Sequence, residues 1–324
     1  MPPALLSVSE LAVDIATPRG TLHAVRNISF EIVAGETLCL VGESGCGKSM
    51  TALALMGLLP DTATRSARRL WFEGEDLAGR VAGLRGNRMA MIFQEPMTAL
   101  NPAYTIGEQL TEVHRRHKGS SQAAARDRAI ELLQKVGITA AAERLRQYPH
   151  QLSGGLRQRV MIAMALMCGP ALLIADEPTT ALDVTIQAQI LRLLIELQRD
   201  LGIAILLITH DLGVVARVAH RVAVMYAGEI VERASAGELF ATPRHPYTRG
   251  LMASIPVPGR TPPGEHLGAI PGIVPSMIGD VRGCSFRDRC SFAAPACAQD
   301  VPWRAANEHG WRCIHEQLPA AVAA

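Results

Sequence analysis

The sequence predicts an α/β fold, a parallel sheet with crossover helices, and three observations carry that expectation. Short apolar runs at Thr37–Val41, 171–175 and 203–208 have the length and composition of strands buried on both faces. Helical spacing fills segments between and around them, at 50–59, 157–167 and 185–199. Strand and helix in alternation imply parallel pairing, because each crossover returns the chain to the same end of the sheet. With 48% hydrophobic and 19% charged residues in 324, the chain is neither disordered nor fibrous in composition and is long enough for about two domains.

Taken in order, residues 5–13 and 28–33 read as strands, the second alternating before a turn at Ala34-Gly35. Thr37–Val41 runs directly into Gly42, and the helix at 50–59 is ended by Pro60. Residues 106–136 are helical in composition with a break at Gly119-Ser120. Beyond about residue 240 prolines crowd in at 243, 246, 256, 258, 262, 263, 271 and 275, which places a domain boundary there. The longest apolar stretch, 160–175, is broken by Gly169 and Pro170 into a helix and a strand, so no membrane span is expected. The N-terminus has neither a basic start nor a long apolar segment, so a cytoplasmic chain is expected and its seven cysteines read as thiols or metal ligands. A net charge of +2 with 4% aromatics argues against a nucleic-acid partner.

The chemistry starts at GESGCGKS, which fits the strand, G-x-x-x-x-G-K-[ST], helix pattern. Its residues Gly42, Glu43, Ser44, Gly45, Cys46, Gly47, Lys48, Ser49 and the following Met50 are candidate contacts to a nucleotide's phosphates. Glycines let backbone N–H groups curl around the phosphates, Lys48 reaches the β- and γ-oxygens, and the Ser49 hydroxyl ligates Mg²⁺. A second element, ALLIADEP, ends an apolar strand in Asp176 and Glu177. Asp176 is placed to support the metal through water, and Glu177 to polarise the attacking water. At the end of the next strand His210 stands where a γ-phosphate sensor belongs, and Gln94 in MIFQEP is a candidate water- or Mg²⁺-facing amide. A further glycine turn, LSGGLRQR, opens a helix at Ser153, Gly154 and Gly155 and makes a second anion site, but one without a lysine.

LSGGLRQR resembles the signature motif of ABC ATPases, and the 42–49 loop, Gln94, Asp176-Glu177, the TALD of 180–183 and His210 fall in that family's order and spacing. The resemblance covers residues 5 to about 240. It implies a P-loop NTPase core formed by 1–94 and 165–240 and a helical subdomain over 95–164. In that family two ATP-binding subunits face head to tail, so Ser153–Gly155 is expected to close on the partner's nucleotide. The same resemblance gives Glu177 the role of catalytic carboxylate, Gln94 that of Mg²⁺ and water sensor, and His210 that of γ-phosphate contact, while Asp183 links the two sites. Two departures stand out. Leu156 occupies the signature position where glutamine is common, and the region expected to stack on adenine, upstream of Ala24, offers only Arg19 and His23. Arginine stacks on bases, so Arg19 is the candidate.

FQEPMTALNP (93–102), HDLGVVARVAHRVAVMYAGEIVE (210–232) and RHPYTRGLMASIP (244–256) are similar to the ATP-binding subunits of dipeptide and oligopeptide importers. That resemblance implies a second, different ATPase subunit, two transmembrane permease subunits and an extracytoplasmic solute-binding protein. It also implies a peripheral place on the cytoplasmic face of the membrane. Nickel and other small-solute importers use similar ATPases and remain an alternative. Non-transport ABC ATPases are disfavoured: only one motif set is present, and no sustained heptads separate the phosphate loop from the signature.

The last segment, 241–324, is expected to be a small irregular extension. Its cysteines Cys284, Cys290, Cys297 and Cys313 are spaced C-x5-C-x6-C-x15-C, with no tight C-x2–4-C pair of the kind structural zinc sites use. Four thiolates on proline-rich loops suit a [4Fe–4S] cluster, which the resembled tails carry. Zinc and a metal-free packed lobe are the alternatives. The expected role is structural or docking, with little direct effect on ATP chemistry.

Overall fold

The computed structural model describes residues 3–94, 99–180, 182–255, 268–279 and 281–316. Residues 95–98 of FQEPMTALNP, Ala181 of TALD and the prolines at 256, 258, 262 and 263 lie outside them. In chain order the elements are β1 (Ala4–Thr17), β2 (Gly20–Val33), β3 (Thr37–Val41), α1 (Lys48–Met56), β4 (Ala63–Ser66), β5 (Arg69–Phe72), β6 (Glu75–Asp76), α2 (Val81–Leu84) and β7 (Met89–Ile92). Next come α3 (Ile106–Lys118), α4 (Gln122–Lys135), α5 (Ala141–Arg144), α6 (Gly154–Leu166), β8 (Leu172–Asp176), α7 (Val184–Leu201) and β9 (Ala204–Thr209). The last are α8 (Leu212–Val218), β10 (Arg221–Tyr226), β11 (Glu229–Ser235), α9 (Ala236–Ala241), α10 (Pro246–Ala253), β12 (Arg304–Ala306) and β13 (His309–Trp311). The chain divides into two compact units, one taking in residues up to 5, 32–36 and 73–208, the other 6–31, 37–72 and those from 209 on.

In the first unit β7, β8 and β9 are parallel neighbours, with Met89 opposite Leu172 and Leu172 opposite Ala204. Every residue of β8 is buried, which explains its continuous apolar run up to Asp176. The helices α3, α4 and α6 pack on one another. Their ends are set by side-chain chemistry. Thr105 and Glu108 form a capping box at α3, Ser121 caps α4, Ser153 caps α6 and Asp183 caps α7. The break expected at 119–120 is a left-handed Gly119 at the end of α3.

The second unit holds an antiparallel layer in which β2, β1 and β5 lie side by side, with β4 also on β1. It also holds β3, which is parallel to β10, and β11, which is antiparallel to β10. The C-terminal extension adds two short strands there: β13 pairs with β11 and β12 with β13. Glu232 of β11, 0% exposed, fixes this addition. It accepts from the backbone N–H groups of Arg244 (2.6 Å) and His245 (2.9 Å) and bonds His309 Nε2 (2.7 Å). A buried carboxylate is tolerated only when its oxygens are satisfied in this way.

The helix expected at 50–59 is displaced. α1 starts two residues earlier, because left-handed Gly47 turns the loop directly into the helix. It ends at left-handed Gly57, whose N–H bonds back to Ala54 while that of Leu58 bonds to Leu53, so the stop comes before Pro60 is reached.

Candidate functional site

The phosphate loop leaves the buried strand β3 at Gly42, whose φ of +155° and surroundings demand glycine. A Cβ there would run into the Met225 carbonyl oxygen and lie 2.8 Å from Cys46 Sγ. Gly47 has φ +102°, and a Cβ on it would meet the Ala24 carbonyl oxygen and sit 2.8 Å from the Met225 methyl. These two positions press the two ends of the loop against its support. Lys48, only 4% exposed, turns its ammonium back into the loop. Its Nζ donates to the carbonyls of Gly42 (2.8 Å) and Glu43 (2.9 Å) and lies 3.7 Å from Cys46 Sγ. Burial pushes the Cys46 thiol up, against the pull of the Lys48 charge, so the sulfur stays protonated and non-nucleophilic. Neither α1 nor α6 carries an acidic residue in its first turn to offset the positive N-terminal end.

The second unit therefore holds the loop residues 42–50, exposed His210 just after β9, and Arg19. Arg19 lies exposed in the turn between β1 and β2, its N–H donating to Thr17 Oγ1 (3.2 Å). His23 is engaged by Asp14 (2.6 Å).

The first unit holds Gln94, Asp176, Glu177, Ser153, Gly154, Gly155 and Asp183. Asp176 is the last residue of β8 and 5% exposed. Glu177 leaves the strand in the left-handed region, at φ +44°, a conformation that costs a non-glycine residue about 1–2 kcal/mol. Its N–H donates to the Ile208 carbonyl (2.9 Å), and its own carbonyl accepts from Thr180 N–H (3.1 Å). The carboxylate is aimed by two donors: the Thr180 hydroxyl at 2.8 Å and, more loosely, the Gln94 amide at 3.4 Å, both on Oε2. Gln94 and Glu177 are thus neighbours, while Thr180 and the backbone twist at 177 were not foreseen from sequence. The TALD spacing marks Thr180 but does not reveal the bond it makes. Ser153 and Gly154 are exposed at the start of α6, and Ser153 accepts from Leu156 N–H (3.4 Å). Asp183 is exposed and bonds Ile186 N–H (2.9 Å) as the cap of α7.

In the extension, Cys284, Cys290, Cys297 and Cys313 all line one small pocket, shared with His245 and Phe286. Burial pushes the Cys284 thiol up to about 11 and raises Cys290 and Cys313, with the neighbouring thiols adding to each shift. Among the described residues no group of three or more His, Cys, Asp or Glu side chains is arranged to hold a metal ion. The four thiols therefore surround one space without forming a closed metal site.

Residues 25–180 match the model of the ABC transporter family, and 231–297 match that of the oligopeptide/dipeptide transporter C-terminal region. The chain is 50% identical to a dipeptide transport ATP-binding protein of Bacillus subtilis over 92% of this chain and 90% of that one. It is 48% identical to the dipeptide transport ATP-binding protein of Escherichia coli, over 92% of both chains. A putative peptide import ATP-binding protein of Brucella melitensis is 49% identical over 98% of both. Among solved structures, a dimeric ATP-binding cassette bound to ADP and Pi matches with a TM-score of 0.63 at 25% identity, covering 71% of this chain and 98% of that one. A Clostridium perfringens component of an ABC transporter complex matches with a TM-score of 0.62 at 28% identity, over 74% and 91%.

Proposed function

We propose, for a chain that belongs to the family of dipeptide and peptide ABC-transporter ATP-binding proteins, that it hydrolyses ATP to power import of dipeptides or oligopeptides. The ATPase motifs are common to all ABC transporters. The observation that narrows the reading to peptides is the match of 231–297 to the oligopeptide/dipeptide C-terminal region. No helix among the described residues is long and apolar enough to cross a membrane. The chain then acts as a peripheral subunit on the cytoplasmic face, with a second homologous ATPase subunit, two permease subunits and an external solute-binding protein.

In this reading Lys48 and the loop amides take the β- and γ-phosphates, and His210 contacts the γ-phosphate. Ser49 and Asp176 offer the hard oxygen donors that would hold Mg²⁺, which when bound would supply charge neutralisation at the phosphates. Gln94 and Glu177 orient the attacking water, Glu177 as the charged acceptor. The amides at Ser153–Gly155 complete the partner's site, and Asp183 lies at the junction of the two. Phosphoryl transfer depends on positioning and charge stabilisation, so a site completed only on closure couples hydrolysis to the partner's state. The test is the ATPase rate of the assembled complex with its solute-binding protein. Loaded with mixed short peptides, that protein should stimulate hydrolysis several-fold over its empty form. A flat response would move the solute to nickel or another small species.

The same reading makes Cys284, Cys290, Cys297 and Cys313 the ligands of a [4Fe–4S] cluster. The donor set supports it in kind, as four thiols around one pocket, and ligation would displace the protons that burial holds on them. A bound cluster would supply cross-linking of the lobe. Cys290→Ser is expected to remove visible absorbance, iron and sulfide together and to lower Tm by at least about 3 °C, roughly 1 kcal/mol in a chain of this size. A colourless wild-type chain, purified anaerobically, would dismiss the cluster.

A further inference from the structure

Glu43, the second residue of the phosphate loop, is gripped from the far end of the chain. Its carboxylate receives both arms of the Arg289 guanidinium, at 2.7 and 2.9 Å, across 246 positions of sequence. Its backbone N–H donates to the Tyr247 hydroxyl oxygen at 2.8 Å. Its carbonyl is one of the two that hold the Lys48 ammonium. One residue thus joins the lysine of the loop to two side chains of the extension.

The grip is rigid on its own side. Arg289 is 6% exposed at its side chain, and it also donates to the carbonyls of Pro271 (2.7 Å) and Ile270 (3.1 Å) and to the Tyr226 hydroxyl (3.5 Å). The guanidinium also lies over the Tyr226 ring, 5.8 Å from its centroid. Tyr226, Tyr247 and Phe286 pack together with ring centroids 4.7 to 5.3 Å apart, and Arg289 adjoins Cys290 in the chain. A bidentate pair to a fixed, nearly dry guanidinium is among the stronger polar contacts a protein makes. A loop with left-handed glycines at 45 and 47 is costly to order. An external anchor that holds it in the binding shape removes that cost from the binding step.

We propose that the C-terminal lobe is a clamp on the phosphate loop, with Arg289 and Tyr247 as positioning residues that set Lys48 for ATP through Glu43. This rests on the ATPase reading. Glu43 itself is a support, since its N–H is taken by Tyr247 and its side chain by Arg289. The lobe then has a direct route to nucleotide affinity, beyond the structural role its cysteines suggest.

The experiment is MgATP titration calorimetry and thermal melting on the full chain and five variants. Arg289→Met is expected to weaken MgATP binding at least tenfold. Glu43→Gln, made on the half-exposed loop side where folding is least at risk, should do the same. The double variant should bind no more weakly than either single one, the sign that the two side chains act as a unit. Arg289→Lys keeps the charge without the fork and should recover part of the loss. Affinities for Arg289→Met or Glu43→Gln within twofold of wild type, or losses that multiply in the double variant, would overturn the clamp. Lys48→Ala separates the two levels of the reading. If it loses MgATP while Arg289→Met and Glu43→Gln bind normally, only the clamp fails. If Lys48→Ala itself binds normally, the ATPase reading fails and takes the clamp with it.

Discussion

Glu177→Gln is expected to leave MgATP bound and stop its hydrolysis. Glutamine has nearly the same volume and retains a carbonyl oxygen for the Thr180 hydroxyl, which now sits 2.8 Å from Oε2. The left-handed turn at 177 is held by backbone bonds to Ile208 and Thr180, which the substitution does not touch. The negative charge alone is lost, and with it the ability to accept or attract the water's proton. General-base catalysis contributes about 10²–10⁴-fold, so kcat should fall by that order while the MgATP Kd stays within about threefold. Calorimetry and single-turnover hydrolysis check the two halves separately. The variant should also trap ATP and hold two subunits closed, which size-exclusion chromatography with MgATP reads directly. Turnover within threefold of wild type would remove Glu177 from the chemistry and favour a nucleotide-binding regulatory module over an ATPase.

Much of the frame behind this expectation is legible in the residues. β3 falls on the expected Thr37–Val41, because a run buried on both faces and stopped by glycine has only one register that hides it. The break between α3 and α4 sits where Gly119 announces it. Other elements escape for physical reasons. β1 and β2 run on to a tight hairpin turn at residues 18–19, extending well past the apolar alternation that marks their cores. The strands β4 and β5 are four residues each: β4 buries no side chain and β5 only Leu70 and Phe72, a pattern too short to read, so pairing with β1 defines them. The extension, read as irregular, gains β12 and β13 only because β11 offers an edge.

The site divides along the same line. Gly42–Ser49, Asp176, Glu177 and Ser153–Gly155 are visible because the chemistry proposed for them requires particular residue types at fixed spacing. Contacts that depend on distant segments meeting are invisible in one dimension. Nothing in the spacing of Glu43 and Arg289 pairs them, nor does any motif mark Tyr247 as the acceptor for a loop amide. Thr180 is intermediate. Its position in TALD is plain, but its hydroxyl reaches Glu177 only because the backbone reverses at φ +44°.

Lys48→Ala is expected to abolish ATP binding while leaving the chain folded. The ammonium is nearly buried and sits on two carbonyls, a placement that keeps it at the mouth of the loop amides. Hydrogen bonds to charged partners are worth about 1.5–3 kcal/mol each, so losing its contacts to two phosphate groups should weaken MgATP at least about 100-fold. Removal leaves the carbonyls of Gly42 and Glu43 without this donor, yet the loop stays anchored. Gly42 and Gly47 remain packed against Met225 and Ala24, and Glu43 keeps its bonds to Arg289 and Tyr247. The Tm should therefore fall by only a few degrees, about 3 °C for each kcal/mol. Lys48→Arg restores the charge but should not restore binding. A planar fork does not fit a pocket that places a compact ammonium 2.8 Å from one carbonyl, 2.9 Å from another and beside Cys46 Sγ. Calorimetry with MgATP and thermal melts on both variants read affinity and fold independently. Binding by Lys48→Ala at wild-type strength would mean that the glycine loop holds no phosphate. Binding by Lys48→Arg but not Lys48→Ala would mean that charge alone, and not the geometry of the ammonium, secures the nucleotide.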